Sequence, residues 1–212
     1  GVASGAAYFY IVYLVWFGEV SKLAQTAGKD PVDFRRQFMA DQPRSLAVLN
    51  AVVDGIGWSK APKRGVFRGV AQMKSFGSYV AAACEISVKD ANKIKIHRIV
   101  AATDPGYVVN PAQIKRQVSG SFVYGLSALF EEEITIKNGA VIQKNFDTFG
   151  SIRLAQMPPV ETIIIQGGGT VWGGVGEPTI CVAAPAVLNA FFQATGKRIR
   201  TLPLKNSGIT LV

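Results

Sequence analysis

The order of apolar and polar residues divides the chain into a helical first part and a strand-rich remainder. Apolar residues recur every three or four positions over Glu19–Ala27, Val32–Met39 and Leu46–Ile56, which is typical of helices that bury one face. Gly28 is expected to end the first of these helices and Ser45 to cap the third.

From Arg64 onward the apolar period shortens to two, which indicates strands. The sequence predicts strands over Gly65–Ala71, Tyr79–Val88, Lys93–Ala102 and Thr162–Gln166, and a hairpin over Ile134–Lys144 that turns at Asn138-Gly139. Two further helices are expected, over Pro111–Leu129 and over Pro185–Thr195.

Strands joined by hairpins rather than by regular βαβ units favour an α+β fold, with mixed helices and a hairpin-rich sheet. We expect a mainly helical segment over residues 1–62 and an α+β domain over residues 63–212, together forming one structural unit. Gly120 and Gly125 lie inside the helix predicted from Pro111, where each glycine costs about 1 kcal/mol relative to alanine. We therefore expect both to be sites of close packing.

The net charge of +9 changes this picture little, because the basic residues are scattered. The pattern favours solvated faces and a contact surface for an acidic partner, and a nucleic-acid-binding module is an alternative that rests on charge alone. The apolar run Ala6–Phe17 is shorter than the roughly 20 residues that span a bilayer. It is expected to form a buried strand or helix start, with a membrane contact as the alternative, and the compartment stays open.

The cysteine and histidine counts exclude several kinds of site. Two cysteines, Cys84 and Cys181, and the single His97 cannot form a disulfide framework or a multi-histidine metal site. An iron–sulfur cluster needs about four thiolates, so this chain cannot hold one alone. We expect both cysteines in the core and His97 at the surface, and any redox centre in a cofactor or another subunit.

The strongest local signal is the glycine-rich segment GGGTVWGGVGEPT, Gly168–Thr179, which contains one carboxylate. Glu177 stands between Gly176 and Pro178, and a proline restricts the residue before it to extended conformations. A carboxylate held in one direction on a rigid loop suits general-base catalysis. From the residues alone, an ordinary glutamate in a surface loop is the favoured interpretation.

Five segments, in this order, carry a resemblance to a known family: AQTAGKDPVDFRRQ (24–37), SFGSYVAAACEISV (75–88), ATDPGYVVNPAQIKRQVSGSFVYGLSALFEEEIT (102–135), NFDTFGSIRLAQMPPVETIII (145–165) and GGVGEPTICVAAPAVLNAFFQATGKRIRTLPL (173–204). The chain resembles the C-terminal part of the molybdopterin-binding large subunit of xanthine dehydrogenase/aldehyde oxidase-type hydroxylases. Within this family it resembles isoquinoline 1-oxidoreductase β-subunits and membrane-associated aldehyde dehydrogenases.

The resemblance implies roles for particular residues. Glu177 of the GVGEP motif is the expected catalytic base beside molybdenum. Gln117 and Gly120, which form the Q-x-x-G motif, are expected to contact the cofactor, and Gly174 and Gly176 to shape the loop beneath the metal. No side chain of this chain is expected to ligate the metal.

The resemblance also implies cofactors and partners. These are molybdenum-molybdopterin, in its cytosine dinucleotide form, and [2Fe-2S] clusters in an iron–sulfur small subunit that takes the electrons. The remainder of the large subunit is a further expected partner, a cytochrome c is a candidate, and the substrate is a small aldehyde or N-heterocycle, oxidised with water as oxygen source.

The sequence departs from the family at Ser4–Glu19, where relatives carry an arginine- and glycine-containing segment that helps to hold the cofactor. This departure keeps a second interpretation open, namely a catalytically silent structural or assembly fragment of the same fold.

Overall fold

The computed structural model describes residues 20–212. Expectations for the run Ala6–Phe17 and for the departure at Ser4–Glu19 lie outside the described residues. Residues 20–26 are helical, and the remaining helices are α1 (Pro31–Gln37), α2 (Pro43–Ile56), α3 (Pro111–Phe130) and α4 (Ile180–Thr195), with 3-10 turns at Leu154–Gln156 and Leu204–Ser207.

The main sheet contains five of the described strands: β1 (Phe67–Ser75), β2 (Ser78–Lys89), β3 (Lys93–Asp104), β6 (Val160–Ile164) and β7 (Thr210–Leu211). The first three form an antiparallel meander, whereas β6 and β7 both pair with β3 in parallel. The sequence predicted hairpin pairing, but β6 returns to β3 through a long connection that contains α3. That connection carries the hairpin of β4 (Ile136–Lys137) and β5 (Ala140–Val141).

Helices cover both faces of the sheet, because β2 and β3 are apolar on each side. On one face Ala81 and Ala83 of β2 belong to a core cluster with α2. On the other face Ala82 and Cys84 belong to the larger cluster that contains α3 and α4. The mixed helix and sheet architecture agrees with the predicted α+β class.

Close backbone approach fixes α4 on the sheet. A Cβ atom built on Gly69 of β1 would lie 2.0 Å from the Ala186 carbonyl oxygen and 2.4 Å from the Ala190 nitrogen. The Asn189 side chain also donates to the Val70 carbonyl at 3.0 Å. The main chains of β1 and α4 therefore touch at Gly69, where no side chain fits.

The two glycines of α3 differ in their surroundings. A Cβ on Gly125 would lie 2.6 Å from the Ala183 Cβ atom of α4, so the expected close packing is confirmed there. A Cβ on Gly120 would meet nothing within 4 Å, so that expectation was wrong for Gly120. Close packing therefore does not explain why position 120 is a glycine.

Two expected helix starts were wrong. Helix α2 begins at Pro43 after Gln42, so Ser45 lies inside the helix and is not its cap. Helix α4 begins at Ile180, five residues before Pro185. A proline in a helix interior removes one backbone hydrogen bond, and this cost is offset because nearly all the residues around Pro185 are buried. The expected turn at Asn138-Gly139 was confirmed, since it joins β4 to β5 and both of its residues have positive φ.

Candidate functional site

The glycine-rich loop (residues 165–179) connects β6 to α4. Because α4 begins at Ile180, Glu177 lies immediately before a helix rather than in the middle of a long loop. The Ile180 amide donates to the Glu177 carbonyl at 3.0 Å. The backbone of Glu177 is therefore fixed by the first turn of the helix.

The buried carboxylate of Asp104 anchors the start of this loop. Asp104 has no exposed surface, and its Oδ1 atom accepts from the Gly167 amide at 3.0 Å and from the Gly106 amide at 2.9 Å. Arg44 donates to the same carboxylate through Nε at 2.7 Å and Nη2 at 2.8 Å. Burial alone would raise the pKa of Asp104, but the hydrogen bonds from Arg44, Gly106 and Gly167 and the arginine charge outweigh it and hold the pKa below its ordinary value.

The middle of the loop lies on the connection between β3 and α3. The Gly168 amide donates to the Gly106 carbonyl at 3.0 Å, and the Gly173 amide donates to the Pro105 carbonyl at 2.8 Å. The rings of Tyr107 and Trp172 stack with their centroids 4.9 Å apart. Backbone hydrogen bonds and one aromatic pair thus hold the loop along this connection.

Gly174 lies against the turn between β1 and β2. Its amide donates to the Phe76 carbonyl at 2.8 Å, and its carbonyl accepts from Ser78 Oγ at 2.5 Å. A Cβ atom on Gly174 would lie 3.2 Å from the Cβ atom of Phe76. Gly174, which is predicted to shape the loop, is therefore held through both its amide and its carbonyl.

Gly176 lies against helix α3, beside Gln117. A Cβ atom built on Gly176 would come within 3.9 Å of the Gln117 Oε1 atom. The Gly176 carbonyl accepts from Ser121 Oγ at 3.0 Å. The structure thus brings Gly176, the residue before Glu177, next to the Q-x-x-G motif, although 59 positions separate Gln117 and Gly176 in the sequence.

The side chains of Glu177 and Gln117 both face solvent. Among residues 20–212, neither the Glu177 carboxylate nor the Gln117 amide has a hydrogen-bond or ion-pair partner. Gly120, one turn from Gln117, is surrounded by open space where a side chain would project. The arrangement leaves a carboxylate, an amide and bare backbone available to a ligand.

The two cysteines are buried and the single histidine, His97, is exposed, as expected. Burial raises the pKa of the Cys84 thiol to about 12. Burial, together with the charge of Glu177, also raises the pKa of Cys181, whose Sγ atom lies 3.5 Å from Ser75 Oγ.

Sequence reasoning missed three residues that organise the site. Asp104 stands in an Asp-Pro-Gly sequence, which favours a turn, and an aspartate in a turn commonly accepts hydrogen bonds from the amides that follow it. Its partner Arg44 is 60 residues away, and nothing in the local pattern linked the two. Ser121 looked like an ordinary residue of an amphipathic helix, and only the packing of α3 against the loop shows its contact.

Residues 20–212 contain neither a cluster of metal-ligating side chains nor a helix that could span a membrane. Within residues 20–212, no three histidine, cysteine, aspartate or glutamate side chains come together in a group that could hold a metal ion. Over the same residues, every helix is too short or too polar to cross a membrane.

Comparisons with known proteins agree with the resemblance inferred from the sequence. The family model described as a molybdopterin cofactor-binding domain matches residues 32–158, more than half of the chain. This range includes Gln117 and Gly120, whereas Gly174, Gly176 and Glu177 lie beyond it. The isoquinoline 1-oxidoreductase β-subunit of Brevundimonas diminuta is 28% identical over 190 residues, which cover 88% of this chain and 24% of that protein.

Two further matches extend this comparison. A protein of Gluconacetobacter polyoxogenes, named membrane-bound aldehyde dehydrogenase [pyrroloquinoline-quinone], is 25% identical over 90% of this chain and 27% of its own length. The crystal structure of quinoline 2-oxidoreductase from Pseudomonas putida 86 shares the fold, with a TM-score of 0.53 at 17% identity over 60% of this chain and 17% of that chain.

The chain thus spans about a quarter of the length of the curated relatives it matches. The family model nevertheless covers helices α2 and α3 and strands β1 to β5. The protein belongs to the molybdopterin cofactor-binding domain family.

Proposed function

We propose that this chain supplies the catalytic-base side of a molybdenum hydroxylase active site, in an enzyme that oxidises an aldehyde or an N-heterocycle with water as oxygen source. The carrying observation is the approach of Gly176 to helix α3, where Ser121 donates to the Gly176 carbonyl and a Cβ atom on Gly176 would lie 3.9 Å from Gln117 Oε1. It brings together the loop of the proposed base, Glu177, and the proposed cofactor contact, although they lie on different elements.

The residues present fit a cofactor with a polar edge. The Gln117 amide offers both a donor and an acceptor, and it faces solvent beside Gly120, where a ligand can approach bare backbone. Gly174 and Gly176 hold the adjoining loop close to α3 and to the β1–β2 turn. When bound, the molybdenum-molybdopterin cofactor would supply the two-electron oxidation.

Glu177 would accept a proton as the oxygen nucleophile attacks the electron-poor carbon of the substrate. Its backbone is fixed by the first turn of α4, and its carboxylate has no competing partner among residues 20–212. A base held in this way typically contributes about 10²–10⁴-fold to the rate.

The proposal extends to the assembly. Relatives include an isoquinoline oxidoreductase subunit and an aldehyde dehydrogenase, each about four times as long as this chain, which supports an N-heterocycle or aldehyde substrate and a site completed by further polypeptide. We propose the cytosine dinucleotide form of the cofactor and an iron–sulfur small subunit with [2Fe-2S] clusters as electron acceptor. A cytochrome c is the candidate acceptor of electrons from that subunit.

The test is Glu177→Gln in the assembled enzyme, assayed with an aldehyde and with isoquinoline. The amide keeps the size of the side chain but cannot accept the proton, so turnover should fall at least about 100-fold. Molybdenum content and the melting temperature should stay within error of the parent protein.

Glu161→Gln is the matched control, because Glu161 is also an exposed carboxylate, on β6. Its activity should equal that of the parent. Near-normal turnover of Glu177→Gln would refute the assignment of the base. An assembly without molybdenum would support the catalytically silent alternative instead.

A further inference from the structure

The hydroxyl of Ser121 links the two halves of the proposed site. Ser121 lies on α3, one turn after Gln117, and is 2% exposed. Its Oγ atom lies 3.0 Å from the carbonyl oxygen of Gln117 and 3.0 Å from that of Gly176. One buried hydroxyl therefore contacts the peptide of the proposed cofactor contact and the peptide that precedes the proposed base.

The hydroxyl has a single proton, which two carbonyl oxygens share. A serine in a helix commonly donates to the carbonyl four residues earlier, which here is Gln117. The contact with Gly176 is different, because it joins α3 to a loop 55 residues away. The Gly176 carbonyl belongs to the peptide whose nitrogen is that of Glu177, so the bond restrains the backbone that directs the carboxylate.

The surrounding packing explains how this bond can hold a fixed geometry. Just beyond Ser121 on the same helix, Gly125 lets α3 approach Ala183 and Ile180 at the start of α4. Helices α3 and α4 are thus held at a short, fixed separation, and with them the end of the loop that leads into α4. Within that fixed separation, the Ser121 bond sets the orientation of the Gly176–Glu177 peptide.

We propose that Ser121 is a positioning residue, which acts on the reaction through Glu177 by holding the Gly176–Glu177 peptide against α3. This inference rests on the function proposed above. Loss of one such hydrogen bond commonly changes an equilibrium by about tenfold or less. Removing the hydroxyl should therefore lower kcat about three- to tenfold and leave KM within twofold, because the base is misdirected while the remaining contacts with substrate are kept.

The experiment compares Ser121→Ala with Ser127→Ala in the assembled enzyme. Ser127 is the matched control, because it is also a serine of α3 that is 2% exposed, and its Oγ atom accepts from the Ile152 amide at 3.1 Å, away from the glycine-rich loop. Both variants remove a buried hydroxyl from the same helix, so their melting temperatures should fall by similar amounts. Only Ser121→Ala should lower kcat at equal molybdenum content.

Hydrogen exchange supplies a reading that does not depend on turnover. In Ser121→Ala the amides of residues 174–177 should exchange at least several-fold faster than in the parent, whereas in Ser127→Ala they should not change. Unchanged exchange in the loop, or equal kcat losses in the two variants, would overturn the positioning role. If Glu177→Gln stays active while the loop exchanges faster in Ser121→Ala, the proposed function fails and the structural link survives.

Discussion

Arg44 and Asp104 form a two-point ion pair between the start of α2 and the end of β3. The Nε–Oδ2 and Nη2–Oδ1 distances are 2.7 and 2.8 Å, and Asp104 has no exposed surface. The same carboxylate accepts from the amides of Gly106 and Gly167. The pair therefore fixes the point at which the glycine-rich loop leaves the sheet.

Removing either partner of this pair should be strongly destabilising. Asp104→Ala leaves two amides without an acceptor and Arg44 without its partner, so we expect a loss of about 3–5 kcal/mol in the free energy of unfolding. Arg44→Met should cost a comparable amount, because it leaves a buried carboxylate unpaired. Urea unfolding monitored by circular dichroism measures both.

The control for this prediction is Lys93→Met, which removes an ion pair with Asp90 whose side chains are 48% and 53% exposed. Exposed pairs contribute about 0–1 kcal/mol. Equal effects of Lys93→Met and Arg44→Met would contradict the structural role assigned to Arg44.

The stability of the protein should fall in acid. Burial raises the pKa of Glu85, but the hydrogen bonds from Arg68 and Arg98 lower it by a larger amount. The pKa of Glu85, like that of Asp104, therefore lies below the ordinary value. Such groups bind fewer protons in the folded state, so their stabilisation is complete above the unfolded pKa of about 4 and is lost as the pH falls through the folded pKa. Burial raises the pKa of Glu132, which acts in the opposite direction.

We therefore expect a nearly constant melting temperature from pH 7 to about pH 5 and a decline below about pH 4. The decline should be smaller in Asp104→Asn, which is less stable at neutral pH but has one fewer carboxylate to protonate. A decline of the same size in both proteins would show that Asp104 does not contribute to it.

Gln117→Leu should reduce cofactor content. The variant keeps the side chain near its original size on an exposed helix face but removes the donor and the acceptor proposed to contact the cofactor. The molybdenum content of the purified assembly should fall several-fold while the melting temperature of the cofactor-free protein is unchanged. Gln113→Leu, on an exposed position one turn earlier in α3, should retain full molybdenum.

Gly120→Ala should raise stability and lower cofactor content at the same time. The added Cβ atom meets nothing within 4 Å, and alanine is favoured over glycine in a helix interior by about 1 kcal/mol. If Gly120 is kept as glycine for cofactor approach, molybdenum content should fall even though the protein unfolds later. A more stable protein with full molybdenum would remove Gly120 from the site.

Gly69→Ala should destabilise the protein, in contrast to Gly120→Ala. Its Cβ atom would lie 2.0 Å from the Ala186 carbonyl oxygen, and backbone cannot move aside as a flexible side chain can. A loss of at least about 1–3 kcal/mol is expected. The contrast between these two glycines is invisible in the sequence, because each occurs inside a regular element.

The local pattern of the sequence was sufficient for most elements. Apolar spacing identified α3 and the strands β2 and β3 nearly to their ends, and β1 except for its last four residues. Asn138-Gly139 identified the small hairpin. These signals depend on neighbours close in the chain. The same reasoning failed at Pro185, since a proline is common at a helix start but the burial of α4 tolerates it inside.

By itself, the sequence determined the element types, the buried cysteines and the motif that holds Glu177 between Gly176 and Pro178. Only the tertiary structure decided that Gly176 lies against Gln117, that Ser121 joins them, and that Asp104 receives Arg44. The physical reason is distance along the chain. Periodicity and turn chemistry act over a few residues, whereas these contacts join residues 55 to 63 positions apart and exist only after α2, α3 and the loop have packed on the sheet.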